Sequence, residues 1–219
     1  MAAVTTLSSQ DKPAREKSFA FVDLQASANQ KLTDSLHGFN GNDLSELPKG
    51  EQTFGGVRFK IEEGYLRLSG NIETSAQPKK PEKLEGIVIG KSFAQLHILH
   101  GTGYGAYGGE GDPLFVKDGT VIGEYRLHYE DGSAESIPLV YGEDVRDWWN
   151  WDKPAEVTRG KIAWTGKNAF SREQNQSIHL YLTSWKNPHP EKKVSRLDYL
   201  CTGTNAASPF CIAISIEEK

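Results

Sequence analysis

Cysteine is scarce in this chain, and a basic surplus is missing altogether. Two cysteines among 219 residues, Cys201 and Cys211, allow at most one internal disulfide and no metal cage. They are able to face each other across Thr202–Pro209, paired in an oxidising compartment or reduced in a cytosol. Lys and Arg number 25 against 29 Asp and Glu, for a net charge of −4. A duplex-binding domain ordinarily shows a basic excess, so nucleic acid is not an expected partner. No apolar run approaches the roughly 20 residues of a membrane span, so no membrane partner is expected. Residues 1–17 lack the apolar core of a secretory signal. The chain reads as cytoplasmic as written, and as extracytoplasmic if a leader has been removed. Helical patterning is lacking too: no stretch holds a 3.6-residue apolar period for three turns.

Turn formers and aromatics are plentiful, with 22 Gly, 10 Pro, 5 Trp, 8 Tyr and 9 Phe. That is a folded, turn-rich composition. Residues 1–17 are polar and read as a disordered leader; residues 18–219 read as one domain. Within it, period-2 alternation recurs. Val57, Phe59 and Ile61 share one parity, with Arg58, Lys60 and Glu62 on the other. Leu66 with Leu68, Ile87 with Ile89, and Ala94 with Leu96 and Ile98 follow. Residues 75–83, with Pro78, Pro81 and three Lys, read as a surface loop. The clearest hairpin is 121–141, turning at Glu130-Asp131-Gly132-Ser133, because Asp-Gly tolerates positive φ. Later strands are expected at 161–165, 177–185, 194–200 and 209–216, the last with Phe210, Ile212, Ile214 and Ile216 inward and Cys211 outward. Roughly nine to eleven short strands, with helical turns only at 43–47 and 143–149, predict an all-β fold: an antiparallel β-sandwich, of jelly-roll type.

Gly103-Tyr104-Gly105-Ala106-Tyr107-Gly108 matches G-x-G-x-x-G, yet Gly109-Glu110-Gly111-Asp112-Pro113 follows and cannot open the helix that a dinucleotide needs. The segment is instead a glycine loop, and its Tyr104 and Tyr107 are placed to line a mouth or to plug it. His97 and His100 sit three apart on a strand, which sends them to opposite faces and away from a shared metal. The densest cluster is 141–152, where Glu143, Asp144, Asp147 and Asp152 accompany Arg146, Trp148, Trp149 and Trp151. Flat aromatic faces stack on pyranose rings while carboxylates and Arg hydrogen-bond hydroxyls, which is what a sugar site requires. The competing reading is architectural, with Arg146 paired to Asp144 or Asp147 and the indoles capping the sandwich. On 177–185, His179, Tyr181, Thr183 and Trp185 form a half-polar stripe that can serve as a platform or lie under a loop. No cofactor is expected. A structural calcium is admitted, with oxygens from Asp23, Asn29 and Asp34 or from Asn40, Asn42 and Asp43, although no D-x-D-x-D-G loop occurs. No G-x-S-x-G elbow is present.

Leu96-His97-Ile98-Leu99-His100-Gly101-Thr102-Gly103, Ile122-Gly123-Glu124-Tyr125 and His128-Tyr129-Glu130-Asp131-Gly132 form one familiar set. Ile137-Pro138-Leu139-Val140-Tyr141-Gly142-Glu143-Asp144-Val145-Arg146-Asp147-Trp148-Trp149 is the most specific run. Together these resemble a widespread group of bacterial β-sandwich domains, similar to galactose-binding-like and NPCBM-type jelly rolls. The resemblance spans about Phe19 to Glu217. It implies a β-sandwich and glycan binding, and carries over no set of ligand contacts.

The sequence therefore leads to a non-catalytic carbohydrate-binding module for a glycan or other small polar ligand. The expected contacts are Trp148, Trp149, Trp151, Asp144, Arg146, Asp147, Tyr104, Tyr107, His97 and His100. A small carbohydrate-active or cyclase-like enzyme on the same scaffold is the alternative, and a protein-interaction domain anchored by the Trp cluster is a third.

Overall fold

The computed structural model describes residues 17–72, 79–150 and 156–218. Residues 1–16 of the expected leader, Trp151 and Asp152 lie outside these. The chain forms β1 (Phe19–Phe21), a short 3₁₀ turn (Gln25–Ser27), β2 (Gln30–Lys31), β3 (Gly50–Phe54), β4 (Val57–Ile61), β5 (Gly64–Arg67), β6 (Lys83–Lys91) and β7 (Gln95–Gly103). Then come β8 (Val121–Tyr129), β9 (Ala134–Val140), β10 (Trp149–Asn150), β11 (Lys161–Gly166), α1 (Ala169–Glu173), β12 (Ser177–Lys186), β13 (Val194–Cys201) and β14 (Ser208–Glu217).

These strands build an all-β, antiparallel, sandwich-like fold. The larger sheet has the order β10-β12-β7-β14-β5-β2, with β1 added beside β14 and β11 beside β12. The smaller has the order β6-β13-β8-β9, and β3–β4 is a separate hairpin. The hairpin expected at 121–141 is β8–β9, with Leu127 opposite Glu135 and Gly132 at φ 87° in the turn. The stretches 43–47 and 143–149 are turns rather than helix. The α-helix present, α1, is one capped turn: the Asn168 side chain accepts from Ser171 N at 2.7 Å, and Ser171 Oγ accepts from Asn168 N at 2.8 Å.

A two-layer sandwich leaves the outer face of each sheet wet, but here the large sheet is buried on both faces. Toward the small sheet, Leu96, Ile98, Tyr181, Ile214 and Ile216 pack on Tyr125, Leu127, Leu197 and Tyr199. On the opposite face, Leu99, Ile178, Leu180, Leu182, Phe210 and Ile212 are covered by Leu32, Leu36, Leu44, Leu47, the β3–β4 residues Phe54, Val57, Phe59 and Ile61, and Trp148 and Trp149. The half-polar stripe of β12 is therefore no open platform, because Tyr181 and Thr183 lie between the sheets.

β14 serves both interiors through a bulge. Its pairing with β7 slips between Cys211 and Ala213. An extra residue in a strand reverses the side-chain alternation beyond it. Phe210 and Ile212 thus enter the second core while Ile214 and Ile216 enter the first. This corrects two expectations: the four residues do not share one face, and Cys211 points into the inter-sheet core, fully buried beside Tyr125 and Tyr199. Burial pushes its thiol up to about 12. Cys201 is a separate free thiol near Ser69 Oγ at 3.7 Å.

Candidate functional site

The 141–149 segment leaves β9 and folds into a tight turn, with Gly142 N donating to Val145 O at 2.8 Å. Gly142 has φ 81°, and a Cβ there would stand 2.6 Å from the Asp118 carboxyl carbon. Asp144 is buried and held on several sides. Its Oδ2 accepts from Val140 N at 2.8 Å, its Oδ1 accepts from Arg159 Nε at 2.7 Å, and a second Arg159 nitrogen meets Oδ2. The guanidinium of Arg146 forks onto Asp118, at 2.7 and 2.6 Å, and its Nε donates to Glu156 O at 2.8 Å. Arg146 is thus paired with Asp118, not with Asp144 or Asp147 as the sequence had suggested.

Asp147 is enclosed and faces backbone amides. Oδ1 accepts from Trp149 N at 3.1 Å and Oδ2 from Ala106 N at 3.5 Å. Burial lifts its carboxyl to about 7, and the two amides offset only part of that rise. Tyr141 and Tyr181 are close, and burial raises both phenols. Trp148 is 0% exposed and Trp149 2%. Trp148 lies edge-on to Phe210 at 6.2 Å, and Trp149 donates through Nε1 to Asn42 Oδ1 at 3.1 Å. The expectation that these two indoles stack on a ligand therefore fails: the outer face of the large sheet is apolar, and they are the rings that cover it. Trp151 lies outside the described residues.

The glycine loop behaves differently. Tyr104 adopts φ 64° and stacks on His37 with ring centroids 4.3 Å apart. Tyr107 is 53% exposed. Gly105 packs under Tyr141, whose ring would stand 2.4 Å from a Cβ there, so the backbone can approach only as glycine. His37 is shielded, and burial with the nearby Arg67 charge lowers it to about 3. Two residues on, Phe39 is 53% exposed and stacks face to face on Phe170 at 4.9 Å. Phe170 in turn touches Trp149 at 5.5 Å. The indoles therefore form the floor beneath Phe170 and His37, on which the Phe39 and Tyr104 rings lie, and Tyr107 follows three residues on in the same glycine loop to complete an aromatic rim.

His97 and His100 are both buried, on opposite faces of β7. His100 lies between the sheets, its Nε2 3.0 Å from Thr183 Oγ1 and its Nδ1 3.2 Å from Tyr125 OH, and burial lowers it to about 4. His97 is on the outer face, beneath Phe19 at 5.7 Å, with Nδ1 2.7 Å from Ser184 Oγ. Neither reaches the rim. Among the described residues, no group of three or more His, Cys, Asp or Glu is placed to hold a metal. Five of the six suggested calcium ligands bond protein groups instead. Asp23 and Asp34 accept the backbone amides of Gln25 and Lys31, and Asp43 accepts that of Ser45. Asn29 bonds both backbone groups of Arg67, and Asn42 Oδ1 accepts from Trp149 and Asn168. A cleft of about 260 Å³ lined by Phe21, Asp23, Lys60, Glu62 and Ile212 opens elsewhere, at the β14 bulge.

Sequence reasoning missed His37, Phe39 and Phe170, and named Asn42 only as a calcium oxygen rather than as the acceptor for Trp149. The available signal was the turn-rich His37-Gly38-Phe39-Asn40-Gly41, two aromatic rings interleaved with glycines. Compared with family models, with curated proteins and with solved structures, the chain gives no match in any of the three.

Proposed function

We propose that this domain is a carbohydrate-binding module whose contact surface is the aromatic rim, which binds without catalysis, and not the indoles beneath it. One observation carries the reading: Phe39 and Tyr107 are each half exposed, on the two loops that meet where Tyr104 packs on His37. Water gains when large apolar rings are covered, and a pyranose presents a matching apolar face. The Arg146–Asp118 pair and the Glu143 carboxylate supply the polar partners that hydroxyls need. The strand order supports the jelly-roll reading of the shell. Taken as eight successive strands, β5-β14-β7-β12 faces β6-β13-β8-β9, the arrangement of two Greek keys rolled together.

A glycan array followed by calorimetry tests the proposal. Tyr107→Ala and Phe39→Ala are expected to weaken binding ten-fold or more, about 1.4 kcal/mol each, with unchanged melting. No binder on the array, or affinity unmoved by both changes, rejects it. The enzymatic alternative draws on one observation, the Asp147 carboxyl near 7. Turnover of a glycoside abolished in Asp147→Asn favours that alternative instead.

A further inference from the structure

On the outer face of the large sheet, at the end of β7 away from the rim, three side chains from three adjacent strands are aligned. Ser184 of β12 pairs across from His97 of β7, and His97 from Ser215 of β14, two residues before Glu217. Six residues of strand separate His97 from Gly103, about 20 Å at ~3.3 Å per residue, so this group is remote from the aromatic rim. Ser184 Oγ is 2.7 Å from His97 Nδ1. His97 Nε2 is 3.5 Å from Glu217 Oε2, whose carboxylate also holds Lys17 Nζ at 2.9 Å. Ser184 is exposed, Glu217 is 17% exposed at its side chain, and the imidazole between them is shielded by Phe19.

We propose that Ser184, His97 and Glu217 form a nucleophilic site that accepts the acyl group of small carboxylic esters. A serine hydroxyl becomes a nucleophile when a neutral imidazole accepts its proton and a third group fixes that imidazole. All three roles are filled. The hydroxyl is open to a substrate. The ring is buried, and that burial keeps it below its ordinary value and so neutral at pH 7. The carboxylate sits 3.5 Å from the far nitrogen, beyond a formed hydrogen bond in the resting chain, and this contact has room to tighten as the ring gains charge. The order of nitrogens is the mirror of the familiar protease arrangement, with serine on Nδ1 and the acid on Nε2, and the proton path is equivalent. Ser184 Oγ attacks the ester carbonyl carbon as its proton passes to Nδ1. The C–O bond to the leaving group breaks, and the alkoxide takes that proton. Water then attacks the acyl-serine, giving its proton to Nδ1, and the carboxylic acid leaves as Oγ recovers it. On the side away from β7, β11 ends at the Lys161–Leu182 pair. The edge of β12 beside Ser184 thus has no strand against it among the described residues, and backbone donors there can meet the developing oxyanion.

The whole chain is treated with a fluorophosphonate probe and, separately, with p-nitrophenyl acetate. The expected result is one adduct per chain, mapped by peptide mass spectrometry to Ser184. Ester turnover is expected to fall at least 100-fold in Ser184→Ala, a change at an exposed position that leaves the chain folded, as its circular dichroism spectrum checks. Glu217 is a positioning residue, so Glu217→Gln lowers kcat about ten-fold with KM and melting unchanged. An unlabelled Ser184, or a Ser184→Ala chain that turns over ester as fast as the wild type, overturns the proposal. Equal kcat in Glu217→Gln overturns the assignment of the carboxylate.

Discussion

Replacing Asp147 by Asn tests the electrostatic account of the 141–149 segment. Burial moves the carboxyl from its ordinary 3.8 to about 7 in the folded chain. A folded value above the unfolded one means that the native state holds a proton which the unfolded state has released. The associated stability is fully present below pH 3.8 and is lost as the pH rises through 7. Three units at ~1.36 kcal/mol each make this about 4 kcal/mol across the window. Asparagine keeps the size of the side chain and an oxygen for Trp149 N, and it does not titrate. The difference in unfolding free energy between Asp147→Asn and wild type is therefore expected to move in favour of the variant, by ~1.4 kcal/mol per pH unit from pH 4 to 7, and to level off above. Taking the difference cancels the histidines, which both proteins share. Urea unfolding followed by tryptophan fluorescence at half-unit steps measures it. Parallel curves for the two proteins would refute the reasoning, since a carboxylate hydrated in the native state gives no slope.

Trp148→Ala removes a ring with 0% exposure from the second core and is expected to cost about 3–5 kcal/mol, read from the denaturation midpoint at constant m. Asn42→Ala removes the acceptor that the Trp149 indole N–H and one Asn168 amide hydrogen share, for a loss of about 1–3 kcal/mol by the same measurement. His100 has the opposite sign to Asp147. Its folded value of about 4 lies below the ordinary 6.5, so its contribution is present above pH 6.5 and is lost as pH falls through 4, by about 3 kcal/mol. His100→Gln is expected to flatten the acid limb, and an unchanged limb counts against a buried neutral imidazole.

Most of the strands were legible because alternation and turn chemistry agree locally. Val57–Ile61, Val121–Tyr129 and Ala134–Val140 are examples, each bounded by Gly or Asp-Gly. What alternation does not carry is the number of layers. It divides residues into inside and outside, and for β12 it gave Ile178, Leu180 and Leu182 one interior. Tyr181 and Thr183 have another, because residues 32–61 fold back over the sheet. That long-range cover also buried the indoles: three tryptophans beside acids looked like a surface, and two of them are the underside of one. The shift in β14 was equally invisible, since an inserted residue leaves no trace in an apolar run such as Phe210–Ile216. Arg146 found Asp118, 28 positions away, where sequence proximity had favoured Asp144 and Asp147.

Because β14 feeds Phe210 and Ile212 into one interior and Ile214 and Ile216 into the other, neither interior can come apart while the other stays whole. Melting is thereby welded into a single cooperative event. The amides of that strand, central between β7 and β5, are the ones that should exchange with deuterium only when the entire chain opens.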